Sequence, residues 1–345
     1  MKRVTIESLV RANIAALSPY STARDEYQGE LGVFLDANES PYENGYNRYP
    51  DPHQKSLKAR LSQIKGVGAK NIFVGNGSDE AIDLVFRIFC EPGRDNVIAI
   101  APSYGVYKVA AATNNVELRE VQLSADYALP TDEILSVADA HTKVLWICSP
   151  NNPTGNAFAI SELETLVQSF QGMVVVDEAY VDFSPKGSML QVLHKHPNLI
   201  VLQTFSKAWG MAGLRLGMAF ATPEVAALFA RVKYPYNVNG PTQAEVIRRI
   251  GEGVASQVQE ICEQRELLEK ELVSLACVEK VYPSDANFFL VKVSKPDQLY
   301  DFLVANGCIV RNRNRVKGCE GCLRITIGTP EENQRVLQLM NEFIG

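Results

Sequence analysis

The sequence lacks any long apolar run. No stretch approaches the roughly 20 apolar residues that a membrane-spanning helix needs. Residues 1–17 have the periodicity of an amphipathic helix and not the continuous apolar stretch of a signal peptide. Basic residues are not in excess either: the net charge is -6, whereas binding to nucleic-acid phosphates needs a basic face. These deficits predict that neither a membrane nor a nucleic acid is a partner of the protein.

Side chains that bind metals are few and poorly spaced for a metal site. The four histidines include His194 and His196, which we interpret as part of a solvated helix end. Cys319 and Cys322 form a Cys-x-x-Cys pattern without the second pair that a zinc site needs. The seven cysteines are scattered and odd in number, which is typical of a reduced protein. The sequence therefore predicts no metal site and a cytoplasmic location.

Short apolar runs rich in β-branched residues alternate with helical patterns along most of the chain. These runs lie at residues 71–75, 97–102, 116–121, 143–150, 173–180 and 199–206. Runs that are apolar throughout are typical of parallel strands in a sheet covered on both faces. After the first run, Ser78 is a candidate N-cap for a helix that extends to Cys90. The predicted fold class is therefore α/β, with a mostly parallel sheet and helices on both faces.

The pattern changes after about Pro241. A long charged helix at residues 257–276 precedes shorter segments that alternate between strand and helix. We expect a large domain at residues 38–240 and a smaller α+β domain at residues 241–345. Residues 1–37 are too few for a domain, so we expect them to pack against the small domain or a partner subunit.

The most informative segment is TFSKAWG at residues 204–210, which is followed by Arg215 and Gly217. A lysine among small residues, with a hydroxyl before it and a cation after it, suits imine formation with an aldehyde cofactor that carries a phosphate. Ser206 and Arg215 can hold the phosphate while the amine of Lys207 reaches the carbonyl carbon. The segment predicts such a cofactor.

Three further motifs follow apolar runs, where ligands of open α/β sheets gather. Gly77-Ser78-Asp79 can cradle an anion at a helix start, or can be a plain glycine turn. Asn152 lies in a turn bracketed by prolines, which can present its amide to a ligand oxygen or be only a turn. Asp177 ends a predicted strand, and its carboxylate can bind a protonated pyridine nitrogen or form a structural ion pair. Tyr180 can donate a hydrogen bond to a ring oxygen or serve only in packing.

The set SPNNPTG, VVVDEAY and TFSKAWGMAGLRLG resembles the fold-type I pyridoxal-phosphate enzymes of the aspartate aminotransferase superfamily. The resemblance covers nearly the whole chain and implies pyridoxal 5'-phosphate as the cofactor. It implies that Lys207 is the Schiff-base lysine, that Asp177 pairs with the pyridinium, and that Asn152 and Tyr180 bind the ring oxygen. The remaining implied cofactor contacts are the phosphate site of Gly77, Ser78, Asp79, Thr204, Ser206 and Arg215, and Tyr104, which stacks on the ring.

The two ends of the chain are similar to histidinol-phosphate aminotransferases. The similar segments are LSPY at 17–20, LDANESPY at 35–42, NRYPDP at 47–52 and CLRITIG at 322–328. The resemblance implies a homodimer in which Tyr49 reaches the cofactor phosphate of the neighbouring subunit. It also implies a substrate pocket lined by Tyr20, Asn152, Arg311 and Arg324. We interpret the other basic residues near these two arginines, Arg313, Arg315 and Lys317, as a solvated hairpin.

The expected reaction exchanges histidinol phosphate and 2-oxoglutarate with imidazole acetol phosphate and glutamate, with ping-pong kinetics through Lys207. Other functions remain open. A threonine-phosphate decarboxylase would release CO₂ without a keto acid, and an aromatic aminotransferase would turn over phenylalanine. A non-catalytic ligand-sensing relative is a third alternative, against which the intact Lys207 and Asp177 argue.

Overall fold

Two β-sheets organise the protein, and the computed structural model describes residues 5–22 and 32–343. The large sheet has seven strands in the order β1-β7-β6-β5-β4-β2-β3. Its strands are β1 Ile72–Asn76, β2 Asn96–Ala101, β3 Glu117–Gln122, β4 Thr142–Cys148, β5 Met173–Asp177, β6 Leu199–Thr204 and β7 Leu216–Phe220. Strands β3, β2, β4, β5 and β6 are parallel neighbours, whereas β7 pairs antiparallel with both β6 and β1.

The large sheet is covered on both faces, which explains why its strands are apolar throughout. In β6, Leu199 and Val201 belong to one buried apolar cluster, and Ile200 and Leu202 belong to another. Because successive side chains of a strand point to opposite faces, each cluster fills one side of the sheet. The prediction of a mostly parallel sheet with two covered faces is confirmed.

The helices supply the apolar faces that cover the sheets. They are α1 Ile6–Leu9, α2 Ala12–Ala15, α3 Lys55–Lys65, α4 Gly77–Phe89, α5 Val106–Thr113, α6 Thr131–Ser136, α7 Ile160–Ser169, α8 Pro223–Val232, α9 Gly240–Ile250, α10 Ala255–Val273, α11 Pro296–Ala305 and α12 Pro330–Glu342. Helix α4 shows the pattern well: Ile82, Val85 and Phe86 are buried at the three- and four-residue spacing of one helix face. Across the described ranges, no helix is long and apolar enough to span a membrane.

The small sheet has four antiparallel strands in the order β10-β11-β9-β8. Strand β8 spans Val278–Val281, β9 Phe288–Val293, β10 Arg311–Asn312 and β11 Cys322–Thr326. Its apolar face forms a separate buried cluster with residues of α10, α11 and α12, such as Leu272, Leu303 and Val336. A capping box, in which the Thr329 and Glu332 side chains bond each other's backbone, fixes the start of α12.

The described part of the N-terminal segment packs differently from the prediction. Ile6, Leu9 and Ile14 are buried in the same cluster as α4, on one face of the large sheet. The backbone N–H of Arg11 donates to the Ile88 carbonyl at 3.0 Å. These residues do not pack on the small domain, because their apolar side chains complete the covering of the large sheet, and contact of the segment with a partner subunit stays a prediction.

Three further details differ from the sequence-based expectations. Ser78 lies inside α4 and is not its cap; Asn76 occupies the cap position. The strand β7 was not among the predicted strands. Helix α9, which was expected to open the small domain, contributes Val246 and Ile250 to a cluster of the large sheet.

Candidate active site

One cavity of about 950 Å³ lies between the edge of the large sheet and the small sheet. Most of the residues singled out in the sequence line it. They are Gly77, Ser78, Asp79, Tyr104, Asn152, Asp177, Tyr180, Thr204, Ser206, Lys207, Arg215, Arg311 and Arg324. Segments far apart in the chain therefore meet around a single space.

Strand direction explains this convergence. Parallel strands end at the same edge of a sheet, so the residues after β2, β4, β5 and β6 lie side by side. Strand β1 is antiparallel to β7, and β7 is antiparallel to β6, so β1 also ends at this edge. Strand β7 begins there for the same reason, and this brings Arg215 next to the residues that follow β1.

The backbone at the start of α4 forms a close-fitting cradle. Gly77 has a φ of +71°, and a Cβ on it would lie 2.7 Å from Nη2 of Arg215. A Cβ on Gly217 would lie 2.1 Å from the backbone nitrogen of Ser78. Both positions therefore require glycine. The Gly77 N–H donates to the Arg215 carbonyl at 2.7 Å, and Ser78 and Asp79 line the cavity beside the Arg215 guanidinium. A helix start next to a guanidinium is a suitable arrangement for a phosphate.

Hydroxyl and charged side chains complete the cradle. Ser206 Oγ accepts from Arg215 Nη1 at 3.4 Å and from the Thr204 hydroxyl at 3.0 Å. Arg215 Nη2 contacts Asp79 Oδ2 at 3.2 Å, and the Tyr104 hydroxyl donates to the other oxygen of Asp79 at 3.3 Å. Tyr104 is thus tied to the cradle with its ring along the cavity wall, and burial raises the pKa of its hydroxyl.

Asp177 is a buried carboxylate, and among residues 5–22 and 32–343 no cationic side chain forms a hydrogen bond with it. It accepts from the Tyr107 hydroxyl at 2.8 Å and from the Ala179 amide at 3.1 Å. Burial raises the pKa of Asp177 to about 6, and these two hydrogen bonds act in the opposite direction. A buried acid of this kind is stabilised in its ionised form by a cation placed in the cavity.

Lys207 extends from the loop after β6 into the cavity. Its Nζ lies 5.4 Å from the centre of the Tyr180 ring. Burial lowers the pKa of Lys207, and the positive charge of Arg324 lowers it further, whereas Asp177 acts in the opposite direction. A lowered pKa increases the fraction of neutral amine, which is the form that attacks a carbonyl carbon or accepts a proton.

Asn152 and Arg324 are directly connected. Arg324 Nη1 donates to Asn152 Oδ1, and the Arg324 guanidinium lies 5.2 Å from the centre of the Phe288 ring. This contact leaves the Asn152 amide nitrogen available to donate into the cavity. Tyr180 packs edge-on against the same Phe288 ring at 5.1 Å, so one aromatic side chain positions residues of both sheets.

The basic residues of β10, β11 and the loop between them line this cavity. Arg313, Arg315 and Lys317 line it together with Arg311 and Arg324. The interpretation of the first three as a solvated hairpin was wrong for Arg313, which is partly buried, while Arg311 is exposed. Strand β10 has only two residues, so the alternation of its side chains is too short a pattern for the sequence to show which of these arginines is buried.

Tyr20 and Tyr49 are not among the residues that line the cavity of their own chain. Tyr20 is 74% exposed. Tyr49 is 49% exposed, and its ring stacks on Tyr236 with 4.3 Å between the ring centres. The roles implied for these two tyrosines stay predictions.

Two residues that the sequence reasoning missed hold the site together. Tyr107 lies in the first turn of α5, three residues after Tyr104, and this short spacing was the only available signal of its role. Asn151 is fully buried and connects two loops: its amide nitrogen donates to the Pro102 carbonyl at 2.9 Å and to Thr154 Oγ1 at 2.7 Å. Its oxygen accepts from Ser103 at 2.9 Å, so the loops after β2 and β4 are fixed together.

Residues 5–22 and 32–343 contain no group of three or more histidine, cysteine or acidic side chains placed to hold a metal ion. His196 is buried and its Nε2 lies 2.8 Å from Glu164 Oε1, so its expected place on a solvated helix end was wrong. All seven cysteines are free thiols.

The residues present fit pyridoxal 5'-phosphate. The glycine-lined cradle and Arg215 suit its phosphate, and the buried carboxylate of Asp177 suits its protonated ring nitrogen. The lowered pKa of Lys207 suits an amine that must attack its aldehyde.

Comparison with known proteins agrees with this geometry. The family described as "Aminotransferase class I and II" matches residues 31–339. The chain is 53% identical over 340 residues to the histidinol-phosphate aminotransferase of Parabacteroides distasonis, a match that covers 98% of this chain and 99% of the relative. It is 50% identical over 344 residues to the enzyme of the same name from Bacteroides thetaiotaomicron, with 99% of each chain covered.

Among solved structures, the fold resembles the histidinol-phosphate aminotransferase from Sinorhizobium meliloti in complex with pyridoxal-5'-phosphate. The TM-score is 0.78 at 23% identity, and the match covers 86% of this chain and 82% of that chain. At this identity the likeness concerns the fold alone.

Proposed function

The chain belongs to the class I and II aminotransferase family, and we propose that it transfers an amino group from histidinol phosphate to 2-oxoglutarate. The products are imidazole acetol phosphate and glutamate, and the reaction is a step of histidine biosynthesis. The proposal depends on one observation: the residues that fit the cofactor and a cluster of arginines line the same cavity. Its support from the comparisons is the full-length identity to relatives that bear this enzyme's name.

The protein is a transaminase that depends on pyridoxal 5'-phosphate. When bound, this cofactor supplies an electrophilic carbon for amines and a pyridinium ring that withdraws electrons from the substrate's Cα. Asp177 holds the proton on the ring nitrogen, because its buried carboxylate gains a cationic partner there. Tyr107 fixes the orientation of that carboxylate through its hydrogen bond.

Lys207 has two roles in the proposed mechanism. Its amine would hold the cofactor at the aldehyde carbon between reactions. The free amine would accept the proton from the donor's Cα, and its lowered pKa increases the fraction of amine that can do so. Donor and acceptor react in turn at the same lysine, so ping-pong kinetics are expected.

Asn152, Tyr180 and Arg324 orient the reactants. The Asn152 amide nitrogen and the Tyr180 hydroxyl can donate to the ring oxygen of the cofactor, while Arg324 holds Asn152 by its other end. Arg324 and Arg311 supply cations for the substrate. Their planar forks can bind either the carboxylates of glutamate or the phosphate of histidinol phosphate.

A half-reaction tests the substrate assignment. The holoenzyme is mixed with histidinol phosphate in the absence of keto acid, and conversion of the cofactor to its pyridoxamine form is followed by absorbance. We expect complete conversion, without release of CO₂. Prompt conversion by phenylalanine but not by histidinol phosphate would show an aromatic aminotransferase, and CO₂ release from threonine phosphate would show a decarboxylase.

We also propose a homodimer with shared active sites. Tyr49 lies outside the cavity of its own chain, on an arm where Val33, Leu35 and Tyr42 are each more than 80% exposed. Mixing Lys207→Ala subunits with Tyr49→Ala subunits tests the sharing. If Tyr49 acts across the interface, the mixed dimer contains one intact site and regains activity. Absence of any gain on mixing, in proven mixed dimers, would place Tyr49 in its own subunit's site.

For the location, we propose the cytoplasm, and the seven free cysteines support a reducing compartment. Fractionation of cells that express the tagged full-length protein tests this location. Recovery outside the cytoplasmic fraction would contradict it.

A further inference from the structure

The strand pair β10–β11 places three arginines on one face of the small sheet. Arg311 lies directly opposite Arg324 in the register of the pair. The backbone N–H of Arg313 donates to the Cys322 carbonyl at 2.9 Å, so the pairing continues one residue beyond β10. Because side chains two residues apart point to the same face, Arg313 lies beside Arg311 and diagonally across from Arg324.

None of these three guanidinium groups has an acidic partner among residues 5–22 and 32–343. Arg324 donates to the neutral side chain of Asn152. The Nε atom of Arg313 is buried and has no hydrogen-bond partner among the same residues. Like charges opposite each other on a strand pair are destabilising, so this cluster lowers stability unless an anion joins it.

The surroundings of Arg313 have a further consequence for its charge. Burial lowers the pKa of its guanidinium, and Arg324 and Arg311 lower it further. A guanidinium nevertheless stays protonated in proteins. The positive charge is therefore retained on the wall of the cavity that holds Lys207, where no acidic side chain of the described residues forms an ion pair with it.

The number of cations indicates the charge of the anion. One arginine fork suffices for a carboxylate, which has one charge and two oxygens. A phosphate monoester carries a charge of about -1.5 to -2 near pH 7 and offers three terminal oxygens. We propose that Arg313 is a third phosphate-binding residue, which selects donors that carry a dianionic phosphate monoester over donors that carry only carboxylates. This inference deepens the proposed function and rests on it.

Half-reactions of the holoenzyme with two amino donors test the selection. We expect Arg313→Gln to raise the half-saturating concentration of histidinol phosphate by about tenfold or more, the loss expected for a charged hydrogen bond. The value for glutamate should rise by less than about threefold, because its carboxylates need fewer cations. Arg335→Gln, which removes an exposed arginine of α12 far from the cavity, is the matched control and should change neither value.

A second variant and a second readout separate binding from folding. Arg313→Lys keeps the charge without the planar fork and should give an intermediate value. Thermal unfolding of the holoenzyme is then measured with and without methyl phosphate, while bound cofactor occupies the cradle at α4. Methyl phosphate should stabilise the wild type more at pH 8 than at pH 5.5, because its second ionisation lies at about pH 6. In Arg313→Gln this pH dependence should be largely lost.

The two levels of the proposal fail in different ways. Equal half-saturating concentrations for wild type and Arg313→Gln, with histidinol phosphate still converted, would overturn the role of Arg313 alone. An equal rise for both donors would assign Arg313 a general structural role and would also overturn the selection. If the wild type does not convert histidinol phosphate, but methyl phosphate still stabilises it more than Arg313→Gln, the substrate is wrong and the phosphate-binding role stands.

Discussion

The two walls of the active site differ in how far the protein satisfies its own polar groups. On the large-sheet wall, Arg215, Asp79 and Tyr104 are joined by hydrogen bonds, and Asp177 has two donors. On the small-sheet wall, Arg311 and Arg313 lack an acidic partner within the ranges that the structure describes. The polar groups of the large-sheet wall are therefore paired with one another before a ligand binds. The charges of the small-sheet wall gain a partner only when an anionic ligand binds.

This difference corresponds to what each wall binds. A resident cofactor stays in place through every reaction cycle, so rigid preorganised contacts can hold it. A substrate must enter and leave in each cycle. The unpaired arginines can bind it without first breaking hydrogen bonds to other side chains. Changes on the first wall should therefore affect every substrate alike, whereas changes on the second should discriminate between substrates.

The largest effect is expected for Lys207→Ala. In the proposed mechanism the amine is both the cofactor attachment and the Cα base, so its loss should lower the rate by at least about 10³-fold for every amino donor. Rates are measured by half-reactions, and the absorbance of the lysine-linked cofactor should disappear. Lys195→Ala, which removes a surface amine paired with Glu164, is the control. Survival of the lysine-linked absorbance band in Lys207→Ala would refute the assignment.

A smaller effect is expected for Arg324→Gln on the other wall. This change removes a charged donor to the substrate, so kcat/KM should fall by about 10- to 100-fold while the bound cofactor keeps its absorbance. Arg324 also lowers the pKa of Lys207, so this pKa should rise and the pH profile of the half-reaction should shift to higher pH. Loss of the cofactor from this variant would contradict the separation of the two walls.

The smallest effect is expected for Tyr107→Phe. Asp177 has a pKa raised from 3.8 to about 6, so its contribution to apoenzyme stability is greatest at low pH and declines as the pH rises to about 6. Loss of the Tyr107 hydrogen bond raises this pKa further. The free energy of unfolding of the variant apoenzyme should therefore be closer to the wild-type value at pH 5 than at pH 8. At pH 8 we expect it to be lower by about 1–2 kcal/mol.

Urea unfolding at the two pH values measures this difference. Tyr127→Phe is a matched control, because the Tyr127 hydroxyl donates to the Gly318 carbonyl, a group that does not titrate. Its destabilisation should be the same at both pH values. A pH-independent loss in Tyr107→Phe would show that Tyr107 acts only by packing.

Much of the large-sheet wall could be predicted from the sequence because its signals are local. An apolar run predicts a strand, and Asp177 and Lys207 follow the ends of such runs. Strand direction then brings these residues to one edge, as the structure describes. The anion cradle could be placed near Gly77 for the same reason.

The remaining features depend on contacts between distant segments. The segment of β7 is short and rich in glycine, and only its pairing with β1 and β6 makes it a strand. The bond between Tyr107 and Asp177 joins residues 70 positions apart. The burial of Arg313 depends on the register of a two-residue strand, and the packing of Ile6 on α4 depends on the shape of the large sheet.

The close approach of Gly217 to Ser78 also bears on the order of folding. Asp79 and Arg215 are 136 positions apart, and they meet only after β7 has inserted between β1 and β6. Contacts of such sequence separation are slow to form. The cofactor's phosphate can thus be captured only by chains whose central sheet is complete. Cofactor uptake during refolding would therefore report the insertion of β7 between β1 and β6, and cofactor binding would favour chains in which this strand is in place.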